Sequence, residues 1–591
     1  MIGRADEFAN SMISLLLKNC RLLNVYSGEI YPTDIAISGD RVISTSRQPY
    51  DDSVRAEQVI DCAGKFAIPG MIDGHMHVDT TFLWPGELAR ILVPLGTTTL
   101  FVDTTNIAHT GGVAAIEALR QSFEGLPLRA YFAAPSYCPF DAQLETAATE
   151  MNSGDIQTLL NSGCVSIGET VFSKIARGDS DYLRGVDITR VHGARVSGHG
   201  GEISRGDEAA FDAYVAAGIN DDHCVGRAED MLPRLRRNLK LFSVECSGRR
   251  GQLKPLLQHA LAQRIPLREI CLCVDNITVM DIVADGYGYL DYLVRVALDL
   301  GIAPVDAFRM VSLNPAEHYR LSGEIGGIAP GRKADILLMR SPDAFPPDLV
   351  VVDGRVAAEN GRLTAATPAP SIPEFYSDSI HLDRVTQKSL SIAAPPGASR
   401  IRVRVIDVID GDAFNTETSA ELAVLDGVIQ SDPAHDILKI IVVERYGRTG
   451  NLGAGFARGF GLSRGALASS VSIPSNNIVA VGAADSEMWR AIERLKEIRG
   501  GFVVVADGRV LAEVSLTIGG IMAAQPFESL VSQIEEGQAV ARSLGCNLLH
   551  PFFTLAQTVL STLPDLGLTD KGLIDVRRGV TTPVILEEVV A

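Results

Sequence analysis

Between Lys65 and Asp275 the chain alternates short apolar runs with amphipathic stretches, and this alternation limits the fold more than any other feature. The runs are FAIPGMIDGHMHV, TTTLFVD, RAYFAAPSY, CVSIGE, RVSGHG, INDDH, KLFSVE and REICLCVD, eight in all. Between them GGVAAIEALRQSF, DEAAFDAYVAAG, RAEDMLPRLRRN and LKPLLQHALAQR have the spacing of helices with one apolar face. Strands joined through helices run parallel, because a parallel pair needs a long crossover whereas an antiparallel pair needs only a turn. Eight such units over roughly 250 residues make a (β/α)8 barrel. INDDH and KLFSVE are the weakest runs, which leaves an open doubly wound sheet as runner-up.

The flanks read differently. Before the barrel, LLLKNCRLLNV, TDIAISGDRVIST and EQVIDCAGKFAI are short strands separated by turn residues such as Gly28, Pro32 and Gly39. After it come two more helices, YLDYLVRVALDLG and PVDAFRMVSLNPAEHY, and then the strand-and-turn segment GEIGGIAPGRKADILLMRSPDAFPPDLVVVDGRVAAENGRL. The two flanks match in character and are expected to pair into one β-sandwich. Proline-rich ATPAPSIPEF marks a linker, beyond which IRVRVIDVI, GFVVVADGRVLAEV and SEMWRAIERLKEI announce a separate α+β domain. The expected boundaries are 1–66 and 325–369 for the sandwich, 67–324 for the barrel and 370–591 for the C-terminal domain.

Composition narrows the partners. A hydrophobic fraction of 46% over 591 residues is ample for packed cores and excludes disorder. The formal net charge of −19 repels phosphate backbones and anionic membrane surfaces, so neither nucleic acid nor membrane is expected. MIGRADEFANSMISLLLKNC carries acidic residues where a secretory signal has a basic end, and the nine cysteines are scattered without a CxxC pair. Both point to the cytoplasm.

The chemistry concentrates at run ends. In Asp73-Gly74-His75-Met76-His77, alternate side chains of a strand share a face, so His75 and His77 can hold one metal ion from a rigid platform. His-x-His alone arises incidentally. Its companions decide: other runs end in Glu169, His199, His223 and Asp275, and in a barrel all these ends face one mouth. Four of only 11 histidines in the chain fall at such ends. Imidazole and carboxylate ligands without a thiolate set suit an open catalytic site for zinc, iron or manganese. Glu169, on a middle strand, is placed to bridge two ions, and Asp275, on the last strand, to touch metal and accept a proton from water. Two cations would lower the pKa of such a water toward neutrality.

These residues resemble the amidohydrolase superfamily, and the chain as a whole resembles the bacterial adenine deaminase family. In the barrel the likeness lies in IPGMIDGHMHVDTTFLWPGELARILVPLGTTTLFVDTTNIAH, APSYCP, SIGETVFS, SGHGGEISRGDEAAFDAYVAAGINDDH and CLCVDNITVMDIVADGYGYLDYLVRVAL. In the tail it lies in VVERYGRTGNLGAGFARGFGLSRGALASSVSIPSNNIVAVGAADSEM and GGFVVVADGRVLAEV, a region other amidohydrolases generally lack. The resemblance implies an α/β fold, a (β/α)8 TIM-like metal-dependent hydrolase barrel with a composite β-sandwich and an additional C-terminal α+β domain. It implies two divalent ions, Mn²⁺ or Fe²⁺ with Zn²⁺ also compatible, a homo-oligomer, and hydrolysis of adenine to hypoxanthine and ammonia in purine salvage. By position His75, His77, Glu169, His199, His223 and Asp275 are the metal set, with Asp275 and Glu169 catalytic.

The chain also departs from the family pattern. Asp222-His223-Cys224 replaces Asp-His-Glu, Asn276 replaces the second of two aspartates, and Asp79 shortens an acidic residue after the first histidine pair. Tyr287 or Tyr289 stands where a Gly-His pair is common, and Tyr446 and Asn476 or Asn477 stand where histidines are usual. A carboxylate is therefore missing beside a metal ligand. Hydrolysis of another aminated heterocycle or a cyclic amide would use the same activated water, and a non-catalytic family member would keep the scaffold. Retention of all six metal-site residues speaks against the last.

Several other residues are read as structural. His109 and His192 are expected on the surface or in loops, Asp281 and Asp285 as surface acids, and RLRRNLK as a solvated helix face. Cys138 is expected to be a small buried apolar group and Cys224 a tolerated replacement rather than a soft ligand. The glycines of GRTGNLGAGFARGFG lack a following Gly-Lys-Ser/Thr and are read as turns.

Overall fold

The computed structural model describes residues 12–588 apart from 51–53, 202–206, 285 and 563–564. Asp285, the first eleven residues and part of the SGHGGEISRGDE stretch thus lie outside the described residues. The chain opens with β1 (Ile13–Leu23), β2 (Ile30–Ser38), β3 (Arg41–Ser46), β4 (Ala56–Asp61) and β5 (Phe66–Pro69). The barrel follows as β6 (Met71–Met76), β7 (Thr97–Asp103), β8 (Arg129–Pro135), β9 (Ser166–Val171), β10 (Arg195–His199), β11 (Asp221–Asp222), β12 (Lys240–Val244) and β13 (Ile270–Cys273). These eight strands pair in chain order, every pair parallel. A single bridge closes the ring: His77 N–H donates to Asp275 O at 3.1 Å and Asp275 N–H to His75 O at 3.1 Å. The closed barrel, not the open sheet, is the architecture.

Three runs fold differently from their reading. FAIPGMIDGHMHV is two strands in two sheets, parted at Gly70, where a Cβ would sit 2.4 Å from Thr98 Oγ1. INDDH contributes a strand of only two residues, because its polar aspartates face supporting contacts rather than a packed layer. PVDAFRMVSLNPAEHY is two helices, Pro304–Met310 and Leu313–His318, broken where Ser312 leaves the helical region at φ −148° and ψ −79°.

The flanks join as their shared texture implies. After the barrel come β14 (Ile336–Met339), β15 (Leu349–Val352), β16 (Arg355–Glu359) and β17 (Arg362–Leu363). β14 pairs antiparallel with β5, from Ile336 opposite Pro69 to Met339 opposite Phe66, making one nine-stranded sheet. Leu15, Leu17, Leu22, Ile35 and Ile37 share its core with Ile336, Leu338 and Val351.

The C-terminal region forms a ten-stranded sheet covered by the helix Asp485–Glu497 and flanked by Phe527–Ser543. The glycine-rich stretch is only partly turn. Gly453 and Gly455 lie inside the strand Leu452–Arg458, and a Cβ at Gly453 would lie 1.9 Å from Thr569 O. Close backbone approach, not chain reversal, is the reason for Gly453.

Polar contacts lock this region onto the barrel. Tyr376, at the end of the proline-rich linker, shares a 2.7 Å hydrogen bond with Thr110. Asn476 Nδ2 donates to Asn106 O at 3.2 Å and Asn477 Nδ2 to Thr146 O at 2.9 Å, so the asparagines at the histidine-type positions act as staples. Among the described residues no helix is long and apolar enough to cross a membrane.

Candidate active site

Backbone irregularities aim the site. Opposite β10 the register of β9 slips by one residue between Ile167 and Thr170, a bulge that turns Glu169 inward with φ 43°. Gly168 precedes it because a Cβ there would meet Asp103 Oδ2 at 1.8 Å. β6 slips in the same way between Asp73 and Met76, and a Cβ at Gly74 would lie 2.4 Å from Phe242 Cε1. Asp275 follows β13 with φ 52°. Both carboxylates therefore occupy the left-handed region that non-glycine residues rarely adopt, a form of strain common at functional sites.

The six residues expected to ligate meet at one rim. His77 Nε2 lies 3.2 Å from Glu169 Oε1 and 3.5 Å from Asp275 Oδ1. His75 Nε2 is 3.6 Å from Asp275 Oδ1, and His199 Nδ1 is 3.1 Å from His223 Nε2 and 3.6 Å from Glu169 Oε1. All six are buried. Burial opposes charge on Glu169 and Asp275, yet both carboxylates stay ionised among the histidines. Glu169 is held well below the usual carboxylate range, chiefly because His199 and His77 outweigh its desolvation. His77 is likewise desolvated, but Glu169, Asp103 and Asp275 raise it to about 10.

This donor set fits a divalent cation. His75 Nε2, His77 Nδ1 and His199 Nε2 are buried without a hydrogen-bond partner, and the ligating atoms of His75, Glu169, His223 and Asp275 lie within 4.8 Å of one another. So many inward lone pairs at such spacing call for a shared positive charge.

Other residues complete the arrangement. Asp103, at the end of TTTLFVD, lies 4.0 Å from His77 Nδ1, and its strand-end position was a usable signal that the sequence reading did not take up. Tyr137 donates to Glu169 Oε2 at 3.3 Å. Cys224 stands within 4.8 Å of the His199 and His223 nitrogens, so the replacement for the missing carboxylate is beside the ligands rather than apart from them. Despite its burial, those two histidines draw its thiol well below its ordinary value.

The turn carrying His223 is fixed from behind. Asp222 accepts Cys224 N–H at 2.8 Å and Gly200 N–H at 3.3 Å, and Arg234 Nε donates to it at 2.8 Å. Arg234 is completely buried, so RLRRNLK is not wholly a solvated face; its helix turns one arginine into the barrel, while Arg236 stays exposed. Asp281 is not a surface acid either. It is fully buried, held by Ser247 and Arg250 and lying 3.3 Å from His550. His109 is fully buried in the helix Thr105–Ser122, 2.7 Å from Thr105 O and 3.5 Å from Glu145, whereas His192 is exposed at a helix end. Cys138 is buried as expected.

The ligands open into a pocket of about 530 Å³, counting its open mouth. The barrel supplies Asn106, Arg249 and Asn276 to its wall, and the C-terminal region supplies Ala413, Ile473, Pro474, Gln557 and Leu560. A metal-ligand cluster at the mouth of a (β/α)8 barrel, roofed by a second domain, defines a metal-dependent hydrolase of the amidohydrolase type.

Comparison with known proteins narrows this. The amidohydrolase family model matches residues 66–241 and 258–357, and the model of the adenine deaminase C-terminal domain matches 412–579. An adenine deaminase of Desulforamulus reducens is 35% identical over 97% of this chain and 96% of its own. One of Methanothrix thermoacetophila is 36% identical over 97% of both chains, and adenine deaminase 3 of Rhizobium meliloti 34% identical over 97% of this chain and 96% of its own. The chain belongs to the adenine deaminase family.

Proposed function

We propose that this protein deaminates adenine hydrolytically, giving hypoxanthine and ammonia, at the rim where His75, His77, Glu169, His199, His223 and Asp275 hold two divalent cations. Mn²⁺ or Fe²⁺ suits the imidazole and carboxylate donors, with Zn²⁺ as the alternative. The observation that carries the reading is the convergence of these side chains from β6, β9, β10, the end of β11 and the end of β13 at one buried rim. A chain relieved of catalysis has no physical need to bury so many lone-pair donors together.

When bound, the cations supply Lewis-acid activation of the attacking water. Asp275 stands between the two histidines of β6 and takes the water's proton as the oxygen bonds to the ring carbon bearing the amine. It then returns that proton to the amine, the carbon–nitrogen bond breaks, and ammonia leaves. Asn276 Nδ2 donates to Asp275 Oδ1 at 2.7 Å and holds the carboxylate in line. Glu169, fixed by Tyr137 and His77, stays ionised throughout. The C-terminal roof shields the ring from bulk water. The same reading makes the enzyme a cytoplasmic homo-oligomer, in keeping with nine buried cysteines that form no disulfide.

Protein loaded with Mn²⁺ or Fe²⁺ and given adenine should release one ammonia and one hypoxanthine per adenine consumed. Absence of ammonia from protein shown to carry metal would contradict the proposal.

A further inference from the structure

We infer that Arg249 and Gln557 form the specificity edge of the pocket, donating hydrogen bonds to the ring-nitrogen acceptors of the purine. The inference rests on the adenine reading above and adds the contacts that select the ring.

Arg249 lies in the loop after β12 and is 4% exposed, in the same pocket wall as Asp275 and Asn276. Its Nη1 donates to His223 O at 3.3 Å and its guanidinium lies 5.8 Å from the Phe414 ring centre. Among the described residues no Asp or Glu carboxylate forms an ion pair with it, and of its neighbours the Cys224 thiol and the Asp275 carboxylate further off do most to offset its charge. A guanidinium carries five N–H donors, and a buried one leaves costly unmet hydrogen-bonding capacity unless acceptors arrive. The pocket side is where they can arrive.

Gln557 approaches from the other domain. It sits in the helix Pro551–Thr558, 8% exposed, and its side-chain amide makes no hydrogen bond among the described residues. Gly248 leaves room for that amide, since a Cβ there would lie 2.4 Å from Gln557 Nε2. The two groups are fixed relative to each other: Ala413 N–H donates to Gly248 O at 3.2 Å, and the backbones of Arg249 and Asp412 pair as an antiparallel β-bridge. One loop of the barrel and one segment of the C-terminal region thus set two polar groups with spare donors around a single cavity.

Adenine presents such acceptors at N3 and N7. The test measures kcat/KM of metal-loaded wild type, Arg249→Met and Gln557→Leu with adenine, 3-deazaadenine and 7-deazaadenine, using the inhibition constant for any analogue that is not turned over. Metal content is measured in each. A charge-assisted hydrogen bond of the usual strength predicts that R249M lowers kcat/KM for adenine roughly 10- to 100-fold, mainly through KM. Against the analogue lacking the nitrogen that Arg249 holds, the same substitution should have less than about a third of that logarithmic effect. Q557L should lose roughly 3- to 10-fold and reports independently should R249M misfold. Equal losses on adenine and both analogues would show that Arg249 acts only through the His223 carbonyl and the Cys224 thiol, and would overturn the inference. Unchanged kinetics in both variants would also overturn it. Metal-loaded wild type that does not deaminate adenine overturns the functional reading and this inference with it, an outcome distinct from the other two.

Discussion

Replacing Arg234 by methionine tests whether the turn bearing His223 and Cys224 is held by a buried ion pair. Arg234 and Asp222 both have fully buried side chains, with Nε 2.8 Å from Oδ2. The same guanidinium donates to Asp230 O at 3.2 Å, Gly201 O at 3.2 Å and Cys224 O at 3.4 Å. Methionine fills most of the volume but leaves the buried Asp222 carboxylate without its guanidinium partner, which costs about 3–5 kcal/mol. Expressed in the unfolding barrier, the lower figure alone shortens the half-life of thermal inactivation by roughly 100-fold. Because Asp222 also fixes Cys224 N–H and Gly200 N–H, the variant should lose metal faster as well. Removing both charges in R234M/D222N should recover part of the loss, since the penalty lies in the orphaned charge rather than in the absent pair. The assay is thermal inactivation of metal-loaded protein beside metal retention after dialysis. A half-life for R234M within about five-fold of wild type, or a double variant no better than the single one, would refute the reasoning.

Three further outcomes follow from other parts of the structure. His75→Ala should abolish turnover and strip metal, whereas Asp275→Asn should abolish turnover while retaining most metal; equal metal loss from both, read by elemental analysis, would contradict the proton-transfer role of Asp275. Gly168→Ala places a Cβ where Asp103 Oδ2 stands, 1.8 Å away, so Asp103 must withdraw from His77; kcat should fall at least tenfold with the overall fold intact by circular dichroism. His318 is buried against Asp221 at 2.7 Å, and burial lowers its proton affinity below the ordinary imidazole value of 6.5. The folded state then favours the neutral ring, so stability present above 6.5 declines as pH falls from there toward the lowered folded value. His318→Gln should flatten that acid limb in a melting-temperature profile, and an unchanged slope would show that His318 does not govern it.

Much of the fold and of the site was legible because it depended on local pattern. Strand ends in a parallel barrel share a rim whatever the loops do, so His75, Glu169, His199, His223 and Asp275 could be grouped from position alone. Residues whose roles arise from tertiary approach were not legible. Arg234 belongs to a run of basic residues, and nothing in RLRRNLK marks which one turns inward; only the partner Asp222, twelve positions earlier, decides it. His109 and Asp281 are charged-type residues whose burial depends on Glu145 and on the Arg250, Ser247 and His550 group, all supplied from elsewhere in the chain. The break at Gly70 was hidden because an apolar run is equally continuous whether it serves one sheet or two.

The central claim is that the six rim residues surround divalent cations. Anomalous diffraction from crystals grown with Mn²⁺ tests it most directly. Two peaks within coordinating distance of His75, His77, Glu169, His199, His223 and Asp275 are predicted. Manganese bound elsewhere, or none bound in protein that still deaminates adenine, would contradict it.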